Sequence, residues 1–277
     1  MDNKKWPLFA LASIPLLMTL ANSMFIPVLP TMEREMDISP FQSSMIITVY
    51  SVVAIPLIPI AGYLSDKFGR KKVLIPSLII TAIGGGIAAA GAWFMAKPYI
   101  VILIGRFLQG IGASGAFPVV IPTVGDLFKS EDEVTHGLGI IETANTFGKV
   151  LSPIIGSLFA LIIWFAPFVA VPILSTIAII LIALLVKPPK QEKSQETTFK
   201  TFYSSIKKVL KLNGSWLWTT FIIGCFSMFM LFGFLFFFSE ILEMKYNLKG
   251  VYKGLILAIP LLFLSIASYV TGKRLGK

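Results

Sequence analysis

Arg106, Glu142 and Lys149 are charged residues inside long apolar stretches of this sequence. A charge in the hydrocarbon core of a membrane costs about 2.5–3.5 kcal/mol even on lenient insertion scales, so such residues face a cavity or a partner. Glu142 and Lys149 are seven residues apart, which puts them almost on one helix face and about 10 Å apart along its axis. This distance is too long for a direct pair. Both side chains can, however, face one cavity with Arg106 from a neighbouring helix.

A carboxylate in a membrane cavity can take up and release a proton, because burial and nearby cations act on its charge in opposite directions. We therefore predict that Glu142 couples proton movement to another process. A structural ion pair near a helix end is the alternative. Lys149 is predicted either to contact an anionic solute or to act as a distant counter-charge to Glu142. The sequence offers no metal-ligand cluster and no set of acid, base and nucleophile at one depth, so we expect neither a cofactor nor an enzyme.

The segments that must position these side chains are long enough to cross a membrane. The 277 residues are 56% hydrophobic and 14% charged, which is outside the range of soluble domains. A helix needs about 20 apolar residues to cross a bilayer. The segments that qualify are 6–30, 41–63, 73–96, 99–123, 136–161, 167–186, 214–238 and 251–271. Because most connections between them are short, we predict an all-α, polytopic helical bundle in a membrane.

The net charge of +10 has a topological explanation. If the N-terminus is cytoplasmic, most lysine and arginine residues fall in the inside loops, as the positive-inside rule requires. The basic excess therefore predicts a multi-pass protein of the cell membrane with a cytoplasmic N-terminus. It does not indicate a nucleic-acid partner.

One polar break between apolar segments combines glycines and charges at a demanding spacing. The stretch over 62–72 reads GYLSDKFGRKK. Gly62 and Gly69 are expected to allow close helix approach and unusual backbone angles. Asp66 and Arg70 are expected to be fixed charges at one membrane surface. So short a break predicts that the flanking helices are antiparallel neighbours.

The pattern G-x-x-x-D-[RK]-x-G-R-K resembles the signature between the second and third helices of major facilitator superfamily transporters. The resemblance implies that Asp66 acts against a helix end of the other half of the fold and stabilises one access state. It also implies that Arg70 pairs with an acid at the cytoplasmic end of the fourth helix, where Asp126 lies in this sequence. An ordinary basic loop is the alternative.

Two further stretches resemble motifs of the same superfamily. Residues 106–110, RFLQG, are similar to an R-x-x-Q-G motif that is common where transport is proton-coupled; an arginine that snorkels from a helix end is the alternative. Residues 22–30 are similar to the first-helix signature of drug and tetracycline exporters, although several of those exporters carry an acid on this helix. The resemblance implies that the N-terminal half of a central cavity is lined by Asn22, Arg106, Gln109, Glu142 and Lys149.

The fifth apolar segment resembles a motif of glycines and a proline that is associated with antiporters, with serine at two of the glycine positions. The matching residues are Gly139, Gly148, Pro153 and Gly156. Such a pattern predicts a pliable helix with a thin face and a proline kink. Glycines that serve only general packing are the alternative.

The domain organisation follows from a polar stretch and an internal repeat. Residues 188–212 predict a basic cytoplasmic linker, and its second half has the spacing of an amphipathic helix for a membrane surface. An ordinary start to the seventh helix is the alternative. A shift of 210 residues puts Trp6 on Trp216 and Gly62 on Gly272, which indicates a repeat of the first bundle. We predict a six-helix bundle over 1–187 and two helices of a second bundle over 213–277.

The superfamily fold has twelve helices, so this chain is expected to end after the eighth, either as a fragment or as a truncated product. The expected partners are the lipid bilayer, a small-molecule substrate, protons, and the missing helices or a second chain. The resemblance implies a secondary active transporter that exports amphipathic compounds or drugs in exchange for protons by alternating access. A sugar, metabolite or siderophore transporter of the same fold is the alternative, as is a non-transporting remnant.

Overall fold

The computed structural model describes residues 4–128, 130–186 and 199–275, which are built from α-helices. Eight segments of these residues are long and apolar enough to cross a membrane, which confirms the predicted number. A short 3-10 turn, Ile26–Val28, divides the first of them into α1 and α2. The helices are α1 Lys5–Ser23, α2 Leu29–Met36, α3 Pro40–Phe68, α4 Arg70–Phe94, α5 Tyr99–Leu127, α6 Glu131–Ile162, α7 Ala166–Leu185, α8 Phe199–Met244 and α9 Gly250–Leu275.

The predicted polar break over 62–72 is much shorter than the sequence suggested. α3 continues to Phe68 and α4 begins at Arg70, so Gly69 is the one non-helical residue between them. Its φ of 105° lies where side chains other than glycine are strained. The polar residues are helical because a helix can continue beyond the hydrocarbon core into the interfacial layer, where charged residues reach water.

Helix starts follow local signals in the sequence. Ser39 Oγ accepts a hydrogen bond from the Gln42 amide, and Gln42 Oε1 accepts one from the Ser39 amide. This capping box, followed by Pro40 at the first helical position, begins α3. Ser130 Oγ accepts from the Glu133 amide and begins α6 in the same way.

Closely packed helices form the body that holds the site. A Cβ atom added to Gly84 would lie 2.6 Å from the Gly105 carbonyl oxygen, so α4 and α5 are in backbone contact. α3 and α7 pack against this pair, whereas α1 is largely buried between α5, α6 and α7. α6 also contacts α9, which joins the two predicted bundles.

The predicted linker is described only in part, because residues 187–198 lie outside the described ranges. The rest of it is helical and joins the seventh apolar segment within α8. Asn213 interrupts this helix, with φ −117° and ψ 16°, at the residue where the sequence predicts that the second bundle begins. The role of 199–212 at a membrane surface stays a prediction, as does the division into two bundles.

The helix directions give the molecule two ends. Gly69, the C-terminus of α5 and the N-terminus of α6 lie together at what we name the Gly69 end, where Lys4 and Glu133 also approach to 3.9 Å. α2, the N-terminus of α3, the C-terminus of α8 and the N-terminus of α9 lie at the other end, which we name the Glu243 end.

Candidate functional site

At the Gly69 end, one arginine lies between two acids. Arg70 Nε donates to Asp126 Oδ2 at 2.8 Å, and Arg70 Nη1 pairs with Asp66 and donates to Ser65 Oγ at 2.7 Å. Asp66, Arg70 and Asp126, here named the Arg70 cluster, have side chains that are 50%, 15% and 37% exposed. The predicted contact between Arg70 and Asp126 is confirmed. The cluster joins α3, α4 and α5, all within the first predicted bundle.

The neighbouring lysine has a contact that the sequence analysis missed. Lys71 Nζ donates to the carbonyl oxygens of Ala183 and Val186 at 2.7 and 2.9 Å. The last carbonyl groups of a helix have no partner within the helix, and a lysine can satisfy them. Lys71 therefore fastens the C-terminus of α7 to α4, just before the linker. Its pairing partner is backbone more than a hundred residues away, which leaves no side-chain signal in the sequence.

Arg106 is enclosed in the middle of the first bundle. Its side chain is fully buried, donates to Ile46 O at 2.6 Å and to Asn22 Oδ1 at 2.7 Å, and also bonds Gln109 Oε1. The guanidinium lies 4.8 and 4.6 Å from the ring centres of Phe25 and Tyr50, within range of cation–π attraction.

All three hydrogen-bond acceptors of Arg106 are neutral groups, so its charge is solvated by dipoles and rings instead of by a carboxylate. The buried Gln109 Nε2 group has no hydrogen-bond partner in the described part of the chain. The structure thus brings Asn22, Arg106 and Gln109 into hydrogen-bond contact. This Arg106 cage, made of those residues with Phe25 and Tyr50, retains unused donors and a net positive charge.

Glu142 belongs to a second polar group, between α6 and α1. Asn145 Nδ2 donates to the two carboxylate oxygens of Glu142 at 3.2 and 3.3 Å, and Thr19 Oγ1 donates to Asn145 Oδ1 at 2.6 Å. Thr19 and Asn22 are three residues apart on α1 and therefore share one face of that helix. A polar track accordingly leads from the Arg106 cage along α1 to Glu142.

Lys149 lies at a different place. It lines a small cavity together with Ser23 and Ile26 of the first bundle and apolar residues of α8 and α9, among them Leu235 and Leu257. Within the described ranges it has neither a hydrogen-bond nor an ion-pair partner. The structure gives Lys149 no contact with Glu142 or Arg106. That all five predicted residues line one cavity stays a prediction.

The glycine motif of α6 contributes close packing at two of its positions. A Cβ atom on Gly156 would lie 2.1 Å from Met24 O, and one on Gly148 would lie 2.9 Å from Leu16 O, so α1 touches the backbone of α6. Gly139 and Gly62 have open space around them in the described part of the chain, so the close helix approach expected at Gly62 stays a prediction. The thin face predicted for α6 is therefore confined to the part that α1 crosses.

A second ion cluster lies at the Glu243 end and was missed by sequence reasoning. Glu243 of α8 pairs with Arg34 of α2 and accepts a hydrogen bond from Lys253 Nζ of α9 at 2.7 Å. The side chains of Glu243 and Lys253 are only 4% and 2% exposed, whereas that of Arg34 is 51% exposed. We name these three residues the Glu243 cluster. The available signal was Lys253 itself, a cation inside the predicted segment 251–271.

Comparison with known proteins decides the family. A sequence model of the Major Facilitator Superfamily matches residues 11–277. The chain belongs to this superfamily. It is 56% identical to the bacillibactin exporter of Bacillus subtilis (strain 168) over 98% of the chain and 67% of that protein. It is 30% identical to the class C tetracycline resistance protein of Escherichia coli over 64% of the chain and 43% of that protein.

Solved structures agree on the fold. The chain matches a D-xylose–proton symporter with a TM-score of 0.69 at 14% identity, over 97% of the chain and 69% of that protein. It also matches an inward-facing, unoccupied bacterial homologue of the lysosomal transporter Spinster, with a TM-score of 0.72 at 17% identity, over 93% of the chain and 59% of that protein. The protein is therefore a multi-pass membrane protein with a major facilitator fold, and the chain spans between 43% and 69% of the length of the relatives named here.

Proposed function

We propose that this protein acts in the export of a siderophore by alternating access, and that bacillibactin is the first substrate to test. The observation that carries the proposal is the 56% identity to a bacillibactin exporter over nearly the whole chain. Among the alternatives that the sequence left open, this likeness favours a siderophore over a general drug. Drug export remains the second proposal, supported by a multidrug resistance protein of Bacillus subtilis that is 25% identical over 74% of the chain.

The Arg106 cage is suited to bind an oxygen-rich or anionic solute. Its cation has neutral partners only, and Gln109 Nε2 beside it is a buried donor without an acceptor. A buried donor without a partner costs about 1–3 kcal/mol, so an acceptor supplied by a solute would relieve that cost. Phe25 and Tyr50 add flat apolar surface on which an aromatic or amphipathic group could lie.

The polar track from Asn22 to Glu142 is the proposed route by which protons drive export. We place the coupling acid at Glu142, because this carboxylate reaches α1 through Asn145 and Thr19. Proton binding would neutralise the Glu142 carboxylate and leave the Asn145 side-chain amide without an ionic acceptor. The protonation of Glu142 would thereby be coupled to the packing of α6 against α1. In this proposal the N-terminus is cytoplasmic and the bundle lies in the cell membrane.

Glu142→Gln is expected to abolish the dependence of efflux on the pH gradient, because glutamine keeps the hydrogen-bond acceptor and cannot release a proton. The matched control is Glu131→Gln, in the first turn of the same helix. The measurement is the initial efflux rate at several imposed pH gradients. If the dependence is fully retained in Glu142→Gln, this residue is not the coupling acid.

Bacillibactin efflux from energised cells tests the substrate. Cells would produce this 277-residue chain, or the same chain completed with the C-terminal third of the Bacillus subtilis relative. We expect the completed protein to export bacillibactin and a protonophore to stop it. Efflux of drugs alone would support the second proposal. If both proteins reach the membrane and neither exports, the exporter proposal fails and the remnant alternative replaces it.

A further inference from the structure

Among the described residues, polar contacts join the two predicted bundles at the Glu243 end, where α8 and α9 meet the proline-containing segment that follows α1 and the helix α2 after it. Ser239 Oγ of α8 donates to Ile26 O at 3.2 Å. Lys253 Nζ of α9 donates to Pro27 O at 2.8 Å while it also holds Glu243. Arg34, two turns further along α2, pairs with the same carboxylate. Helices α8 and α9 are thereby tied to one short stretch of the first bundle.

The sequence explains why this stretch can accept those contacts. In an α-helix the carbonyl of Ile26 would accept from the amide of residue 30, but Pro30 has no N–H group. The chain forms a 3-10 turn over Ile26–Val28 instead, and the carbonyl oxygen of Ile26 accepts from Ser239. Pro30 therefore leaves the Ile26 carbonyl as an acceptor at the place where the second bundle touches the first.

Helix packing sets the depth of Lys253. The next residue, Gly254, touches the backbone of α6, because a Cβ atom there would lie 2.5 Å from Pro153 O and 2.9 Å from Ser157 Oγ. Such an approach is open to glycine only. It seats Lys253 where its side chain is almost completely buried and reaches Glu243.

We propose that the Glu243 cluster is an ion-pair latch, which closes the Glu243 end of the protein and opens when the two bundles part there. The inference rests on the proposed function, since a latch has a use only if solute passes between the bundles. The small cavity lined by Lys149 lies directly inward of it, against Ile26 and Leu257. Leu257 is one helical turn from Lys253 and is 1% exposed.

The charge arrangement makes the carboxylate the central part of the latch. Glu243 is shared by cations on two other helices, Arg34 from the first bundle and Lys253 from α9. Removal of one partner from a buried pair leaves an uncompensated charge, which is far more costly than the loss of an exposed pair. Without Glu243, the buried Lys253 cation would have no counter-charge and would lie near a second cation, Arg34, so the closed arrangement would be disfavoured.

Cysteine labelling measures opening without any need for transport. The native Cys225 is exposed, so it is replaced by serine, and Leu257→Cys provides a single buried reporter. A membrane-impermeant maleimide is given access to both faces of the membrane, which makes the result independent of orientation. We expect slow labelling in the otherwise unchanged chain. Glu243→Gln should raise the labelling rate about tenfold, which corresponds to about 1.4 kcal/mol of lost closing free energy.

Arg34→Gln is the milder variant, because Arg34 is half exposed and its loss leaves the pair between Lys253 and Glu243 in place. We expect a rise of about threefold, as for the loss of a partly exposed ion pair. The matched control is Glu240→Gln, one turn before Glu243 on α8. A second reporter, Ala178→Cys, lies fully buried in α7 and detects general loosening of the fold.

The latch is supported if Glu243→Gln and Arg34→Gln speed labelling at position 257, and neither Glu240→Gln nor the reporter at 178 responds. Equal rates in Glu243→Gln and Glu240→Gln would overturn it. If Glu243→Gln also speeds labelling at position 178, the Arg34→Gln variant decides between the two explanations. The latch is overturned if Arg34→Gln is labelled at position 257 no faster than the control variant Glu240→Gln. Faster labelling in a protein that exports no bacillibactin would leave the latch in place and refute only the proposed substrate.

Discussion

The two ion clusters at opposite ends of this protein are built on opposite plans. The Arg70 cluster places one cation between two acids, and every member belongs to the first bundle. The Glu243 cluster places one acid between two cations and joins the first bundle to α8 and α9. The acids of the two clusters also differ in exposure: the two acids around Arg70 are 50% and 37% exposed, whereas Glu243 is 4% exposed.

The difference teaches that a recognisable motif and a strong contact need not coincide. Water screens the Arg70 cluster, so its ion pairs contribute little stability and can exchange partners as helices move. Within the Glu243 cluster the pair of Glu243 and Lys253 is dry, so its stability depends on both partners being present. The resemblance to a family motif identified the first cluster, and only the three-dimensional contacts identified the second.

The largest expected effect is on Glu243. Glu243→Gln should lower the free energy of unfolding by about 3–5 kcal/mol, because it leaves the buried Lys253 cation without its acid. Thermal unfolding in detergent, followed by loss of the monodisperse protein, measures this change. Asp126→Asn in the Arg70 cluster is the matched comparison and should cost at most about 1 kcal/mol. Equal losses would mean that burial does not separate the two clusters.

A pair of glycines gives the next largest contrast. Gly254→Ala should cost about 1–3 kcal/mol, because its methyl group would meet the backbone of Pro153 and overpacking is destabilising. Gly62→Ala, at a glycine of the family motif, has open space around it and should be neutral or slightly stabilising in its helix. The same thermal assay compares them. A greater loss for Gly62→Ala would reverse our assignment of the close contact.

Asp66→Asn is expected to change the stability of the protein least of these variants and nevertheless to impair transport. Asp66 is half exposed, and Arg70 keeps its bonds to Asp126 and Ser65 in the variant. We expect normal abundance in the membrane and impaired export, because the resemblance implies that Asp66 biases one access state. Asp132→Asn, an exposed acid at the start of α6, is the control. Unchanged export in the completed protein would refute the gating role.

Hydropathy predicted the membrane spans well, since burial in lipid imposes length and apolarity on every one of them. It failed where helices leave the hydrocarbon core: the first span continues to Met36, and α3 reaches Phe68. Composition there resembles that of a loop, whereas the backbone remains helical. Boundaries of this kind depend on the contacts of single residues, such as Gly69 with its positive φ.

The candidate site was predictable where a motif is local. Asn22, Arg106 and Gln109, which the resemblance assigned to one cavity, are in hydrogen-bond contact, and Arg70 pairs with Asp126. The contacts of Lys253 with Glu243 and Pro27 were not predictable, because each depends on where α9 crosses α6 and the turn after α1. Such crossings are decided by glycines like Gly254, whose role appears only when the neighbouring backbone is known.

The central claim is that solute passes only when the two bundles part at the Glu243 end, and a reversible cross-link tests it most directly. In the completed protein without Cys225, Ile26→Cys and Ser239→Cys put one thiol on each side of the contact, because the Ile26 side chain packs with Leu235 and Leu242 of α8 and Ser239 of the same helix donates to Ile26 O. Each single-cysteine variant serves as a control. We predict that bacillibactin efflux stops when the pair is oxidised and returns when it is reduced. Full efflux through the cross-linked protein would contradict the account.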